Sequence, residues 1–242
     1  MIYGTPTIVT NGLVLNLDAA NTKSYVSGST VWRDLSGNNN SGSLVNGPTY
    51  NGDNGGSIVF DGVNDFSTIL DYPSLNFGSG AFTIECIFRP KSTQSGGNFP
   101  AVLNKSTGDF TSPSAGVTGW ILYWQTLNNV YQFQLGDGTP GAVNTLIYPA
   151  SINNNNTWRC LSVTIPTINN PIIGYHNGNP VGSSTRTLGS TNINVELTIA
   201  TWRQVNRELN ADIGVVRIYN RALSQQEILQ NYNALKSRFG LS

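Results

Sequence analysis

Phe82-Thr83-Ile84-Glu85-Cys86-Ile87-Phe88-Arg89 steps in twos: Phe82, Ile84, Cys86 and Phe88 share one face, with Thr83, Glu85 and Arg89 largely opposite. Successive side chains of an extended backbone point to opposite faces, so this is the pattern of a strand with one face in a core. The same period runs outward in both directions. Leu13, Leu15 and Leu17 alternate with Val14, Asn16 and Asp18. Tyr131, Phe133 and Leu135 alternate with Gln132 and Gln134, and Leu161, Val163 and Ile165 with Ser162 and Thr164. Val195, Leu197 and Ile199 alternate with Glu196 and Thr198, and Ile213, Val215 and Tyr219 are expected to share a face against Gly214 and Val216. Ser57–Phe60 and Trp120–Trp124 are shorter runs of the same kind.

Turn chemistry separates the runs. Ser36–Asn40 and Asn51–Gly56 are polar loops, and residues 153–156 read as an exposed connection. Asn177-Gly178 between two short runs predicts a tight hairpin with a type I′ turn, because both residues tolerate positive φ. Many short strands without alternating helices predict an all-β sandwich of two antiparallel sheets. One helix stands out near the carboxyl end. Ser224-Gln225-Gln226-Glu227 is a capping box, followed by Ile228, Leu229, Tyr232 and Leu235 at helical spacing, and Gly240 is placed to end it. Residues Met1–Asn11 read as an amino-terminal arm and residues 12–242 as a single domain.

Charged residues make up 11% of the 242, with a formal net charge of zero, where an ordinary soluble domain carries about 25%. No basic block is present, so nucleic acid and anionic membrane surfaces are not expected partners. No apolar stretch is long enough to span a bilayer. Cys86 and Cys160 sit inside strand-like runs and read as small buried hydrophobes, with a disulfide as the alternative. Met1–Asn11 lacks the basic and apolar regions of a signal peptide. A surface of extracellular type without such a signal fits a protein made in a host cytoplasm and used on a virion surface. The alternative location is extracellular, on a bacterial surface.

Gly12-Leu13-Val14-Leu15-Asn16-Leu17-Asp18-Ala19, Trp32-Arg33-Asp34-Leu35-Ser36-Gly37-Asn38 with Gly42, and Gly56-Ser57-Ile58-Val59-Phe60-Asp61-Gly62-Val63-Asn64-Asp65-Phe66 resemble successive motifs of laminin-G-like, concanavalin A-like domains. Phe82–Pro90 resembles a further strand of that family, with Phe88 where a tryptophan is usual, and Ile213–Ile228 resembles its last strand and helix. The resemblance runs from about residue 12 to 240. It implies a jelly-roll β-sandwich with a short C-terminal amphipathic helix. The tail from Asn231 to Gly240 resembles bacteriophage structural proteins. This implies a non-enzymatic capsid-decoration or tail/fibre protein that self-associates and contacts other virion proteins. The other reading is a lectin-like adhesion module that binds cell-surface glycans.

These readings nominate the candidate site residues. Lectin sites stack an aromatic ring on a sugar, and Tyr123, Trp124 and Trp202 are the candidates, although one face of any sandwich strand is core. The family resemblance implies calcium at Asp18 and Asp212, against a reading in which Asp18 caps a turn and Asp212 begins a strand. Asp61 and Asp65 flank Gly62 as turn formers. A retaining glycosidase needs two carboxylates facing one cleft. The glutamates Glu85, Glu196, Glu208 and Glu227 lack the one-strand spacing of that site, and the lone His176 lies beside a hairpin turn, so no catalytic residue is expected.

Overall fold

A computed structural model describes residues 7–94, 97, 99–152, 155–202 and 207–241. Residues 1–6 of the expected arm and 153–154 of the expected connection lie outside them. In chain order the strands are β1 (Leu13–Asp18), β2 (Val31–Trp32), β3 (Gly42–Val45), β4 (Thr49–Asn51), β5 (Ser57–Asp61), β6 (Phe66–Ile69), β7 (Phe82–Pro90), β8 (Ala101–Ser106) and β9 (Thr118–Gln125). They continue as β10 (Val130–Asp137), β11 (Asn144–Ile147), β12 (Arg159–Ile165), β13 (Pro171–His176), β14 (Asn179–Thr185), β15 (Leu197–Ile199), β16 (Thr201–Trp202), β17 (Arg207–Glu208) and β18 (Asn210–Tyr219), before helix α1 (Gln225–Phe239).

Two eight-stranded antiparallel sheets face each other. The first runs β14-β13-β12-β7-β18-β5-β4, with β1 also on β18; the second runs β11-β10-β9-β8-β15-β6-β3-β2. Phe82, Ile84, Cys86 and Phe88 from the first sheet meet Trp120, Leu122, Tyr131 and Phe133 from the second in one buried core. This is the sandwich of two antiparallel sheets that the alternation predicts, and it is consistent with the jelly roll that the resemblance implies. Burial of this apolar surface drives the packing, at roughly 25 cal/mol per Å².

Two bulges alter the expected faces. The register of β1 on β18 shifts between Leu13 and Leu15, and that of β18 on β7 between Ile213 and Val215. An extra residue in one strand turns the residues beyond it to the other face. Ile213, Val216 and Ile218 therefore face the core, while Val215 and Tyr219 face outward toward α1. The expectation that Ile213, Val215 and Tyr219 share a face fails at Gly214. A Cβ there would stand 2.6 Å from the Phe239 ring, so the glycine also lets α1 approach.

Helix α1 forms where the capping box predicts. Ser224 accepts from the Glu227 N–H, the Glu227 side chain returns to the cap, and Gly240 closes the helix in the left-handed conformation. Ile228, Tyr232 and Phe239 pack on the outer face of the first sheet. The described end of the arm is not free. Val9 is buried, its N–H donates to Asn231 Oδ1 at 2.8 Å, and its carbonyl accepts from the Tyr219 hydroxyl at 3.0 Å.

Cys86 faces the inter-sheet core and Cys160 the α1 side, and both thiols are free and buried. Burial pushes both thiols well up. The Asn177-Gly178 hairpin forms with φ of 48° and 78°, as a type I′ turn requires. No helix among the described residues is long and apolar enough to cross a membrane.

Candidate functional site

The three expected aromatic residues do not share a platform. Tyr123 and Trp202 lie on the outer face of the second sheet but are only 2% and 0% exposed, under a loop layer that includes Phe110 and Phe99. The Tyr123 hydroxyl donates to Gln132 Oε1 at 2.6 Å, and Trp202 Nε1 donates to the Gly108 carbonyl at 3.1 Å. The Arg207 guanidinium sits 4.8 Å over the Trp202 ring. Neither ring offers an open face to a sugar, because segments distant in sequence cover them. Trp124 points the other way, into the core beside Tyr131, and is 4% exposed. It also lines a separate hollow at the end of the sandwich.

The two acids expected to hold calcium are occupied by the protein's own cations. Asp18 accepts from Arg238 Nη1 at 2.8 and 3.0 Å. Asp212 is wholly buried; its Oδ2 accepts from Arg89 and, at 2.6 Å, from Lys91. Calcium takes six to eight oxygen ligands. Among the described residues no group of three or more His, Cys, Asp or Glu side chains gathers to hold a metal. The residues present do not fit the ion. Asp61 takes the turn-forming role, accepting from the Val63 N–H at 2.8 Å.

Three of the four glutamates have structural partners. Glu85 is 1% exposed and bound to Arg217, and Glu227 closes the helix cap and binds Arg221. Glu196 accepts from the Thr68 hydroxyl at 2.8 Å. His176 is half-buried in β13, and burial, then the Arg159 charge, push its pKa down to about 4. Among the described residues it makes no hydrogen bond to a serine or aspartate.

An aromatic recess lies where the β1–β2 loop meets the β3–β4 connection. Tyr25 and Tyr50 stand 5.5 Å apart with planes tilted by 32°, in a cleft of about 450 Å³. Tyr25 is positioned by its neighbours: its N–H donates to Asn21 O at 2.8 Å, and Ser24 Oγ ties the loop to Arg33 O at 2.6 Å. Burial raises the Tyr25 phenol, so it stays a neutral donor. Thr30 and Thr49 put exposed hydroxyls on the rim, and the Asn46 amide holds the facing turn by donating to Asn64 O at 2.7 Å. Gly28 and Gly47 adopt φ of 85° and 98° with open space where a side chain would stand, which keeps the mouth clear. Among the described residues no charged side chain lines the cleft. An aromatic wall with neutral hydroxyls suits a sugar face and its ring of hydroxyls. Sequence reasoning missed both tyrosines. The available signal was an aromatic set among small hydroxyl residues, Ser24-Tyr25-Val26-Ser27-Gly28-Ser29-Thr30.

Residues 61–229 match the family model described as the concanavalin A-like lectin/glucanases superfamily. No curated protein matches the chain by sequence. Among solved structures, the binding domain of Paraclostridial Mosquitocidal Protein 1 superposes with a TM-score of 0.72 at 19% identity, over 93% of this chain and 52% of that one. The botulinum neurotoxin serotype D ligand binding domain, solved with N-acetylneuraminic acid, gives 0.71 at 16% identity over 93% and 51%. The botulinum neurotoxin DC binding domain, solved with rat synaptotagmin II, gives 0.70 at 16% identity over 94% and 52%. The chain thus spans about half the length of these domains.

Proposed function

The chain belongs to the concanavalin A-like lectin/glucanases superfamily, and from that premise we propose that it is a non-enzymatic, lectin-like binding domain that attaches to glycans. The carrying observation is the Tyr25–Tyr50 cleft, a pre-formed, uncharged recess with an aromatic wall and a hydroxyl rim. A sugar would lay its apolar face on the exposed part of Tyr50 and exchange hydrogen bonds with Thr30 and Thr49. Binding without chemistry agrees with the fate of the carboxylates, since Glu85 and Glu227 are each bound to an arginine. It also agrees with the toxin binding domains that share the fold. The capsid or tail role, with self-association, rests on sequence resemblance alone and stands behind the glycan reading for that reason.

A glycan array probed with the intact protein, carrying uncharged and sialylated glycans, tests the proposal. The expected result is retention of an uncharged glycan. Tyr50→Ala should weaken it about tenfold or more, or at least 1.4 kcal/mol, with the thermal midpoint preserved. No glycan retained at millimolar concentration, with stoichiometric attachment to phage particles instead, would return the protein to the virion reading.

A further inference from the structure

We propose that the hollow beside Trp124 is a second saccharide site, separate from the tyrosine cleft and selective for uncharged sugars. This inference rests on the glycan-binding reading. The hollow, of about 520 Å³, lies where the end of β7 runs on into Ser92 and Gln94 and faces the β9–β10 turn. That volume is within the range of small-molecule sites, about 300–1,000 Å³.

The Trp124 indole N–H is buried and finds no acceptor among the described residues. Leaving a buried donor unmade costs ~1–3 kcal/mol. Trp158 and Trp202 avoid that cost, donating to Asn54 Oδ1 at 3.0 Å and Gly108 O at 3.1 Å. Trp32 is likewise unpaired, but it is wholly enclosed in the core. Trp124 alone of the two lines the hollow, where a ligand oxygen could serve as its acceptor.

The other walls are polar on both counts a sugar needs. Ser92, Thr126, Asn129 and Asn155 line the space with hydroxyls and amides that hydrogen-bond to no other side chain among the described residues. They supply donors and acceptors together, matching the dual character of a sugar hydroxyl. Gln94 forms a fixed wall: its amide donates to Lys91 O at 2.8 Å and Asn210 O at 3.0 Å and accepts from Asn210 N at 2.9 Å. Among the described residues no charged side chain lines the hollow, and the neighbouring Lys91 commits its ammonium to Asp212. A phosphate, sulfate or sialic carboxylate would find no cation among these lining residues.

The two sites are far enough apart to fill together. Between β3, at the tyrosine cleft, and β9, at the Trp124 hollow, lie β6, β15 and β8. Four inter-strand steps of ~4.8 Å place them about 19 Å apart across the sheet. Two sites on one rigid domain would hold a branched or repeating glycan more tightly than either alone.

The test is a titration of the full ¹⁵N-labelled chain with maltotriose, cellotriose, chitotriose and lactose, followed at the tryptophan indole N–H signals. Trp124→Phe assigns the Trp124 signal. The expected result is a saturable shift of that signal with one of these sugars, persisting in Tyr50→Ala. Asn129→Gly, which keeps the left-handed turn (φ 52° at Asn129), should weaken it several-fold without moving the thermal midpoint. A Trp124 signal that stays still while the tyrosine cleft binds would overturn the second site and leave the first. A shift produced by sialyllactose or inorganic phosphate but by none of the four sugars would overturn the ligand class. No shift at either site would remove the glycan reading and this inference with it.

Discussion

Arg217 Nη1 donates to Glu85 Oε1 at 2.6 Å, and each residue is only 1% exposed. The pair lies on the outer face of the first sheet, with Val215 and Tyr219 to either side on β18. Ser162 donates to the second Glu85 oxygen at 3.1 Å, and Arg217 Nε reaches Asn16 Oδ1 at 3.4 Å. Such a pair gains little against an apolar replacement, but breaking it strands a charge. Arg217→Met should therefore cost about 3–5 kcal/mol in urea unfolding, and Glu85→Met added to it should restore most of the loss. A single variant within 1 kcal/mol of the parent, on the scale of an exposed ion pair, would show that the charge is not buried in solution.

His176 provides a pH reading from one side chain, because the chain has a single histidine. Burial holds its folded pKa near 4, below the ordinary 6.5. The unfolded chain therefore binds the proton more tightly, and the neutral imidazole's contribution is complete above pH 6.5. It falls as pH drops from 6.5 and is lost below about 4. The imidazole C–H resonances should titrate near pH 4, and His176→Gln should flatten the stability profile over that window. A midpoint at 6.5 would mean that the ring is solvated.

Asn231 fastens the arm to the helix, accepting from Val9 N–H at 2.8 Å and donating to the Tyr219 hydroxyl at 3.0 Å. Asn231→Ala should cost ~1–3 kcal/mol, since it leaves buried polar groups unmade. Amide exchange at Val9 should rise more than exchange in β7. Unchanged protection at Val9 would place the fastening elsewhere.

Much of the fold was legible because strand alternation and the capping box are local. Phe82–Phe88 and Ser224–Glu227 state their conformations within a few residues. The bulges at Val14 and Gly214 were not legible, since one extra residue leaves the composition of a strand unchanged while reversing its faces. The site was harder. Tyr123 could be placed on the outer face from its neighbours, but nothing nearby announces that Phe99, Phe110 and Trp202 would pack over it. Asp18 and Asp212 looked available for a metal because their cations come from afar, Arg238 from 220 positions away and Arg89 from 123. Tyr25 and Tyr50 are joined only by the folding of two loops, and neither loop has a period to read.

The carboxylates of Asp18, Glu85 and Asp212 are all answered from within the molecule, in a chain whose charges sum to zero. Such a surface projects little long-range field, so partners meet it by diffusion alone, without electrostatic steering. Dissolved ions then have little to screen. Attachment through amides, hydroxyls and rings should proceed at nearly the same rate and strength in fresh water and in brine.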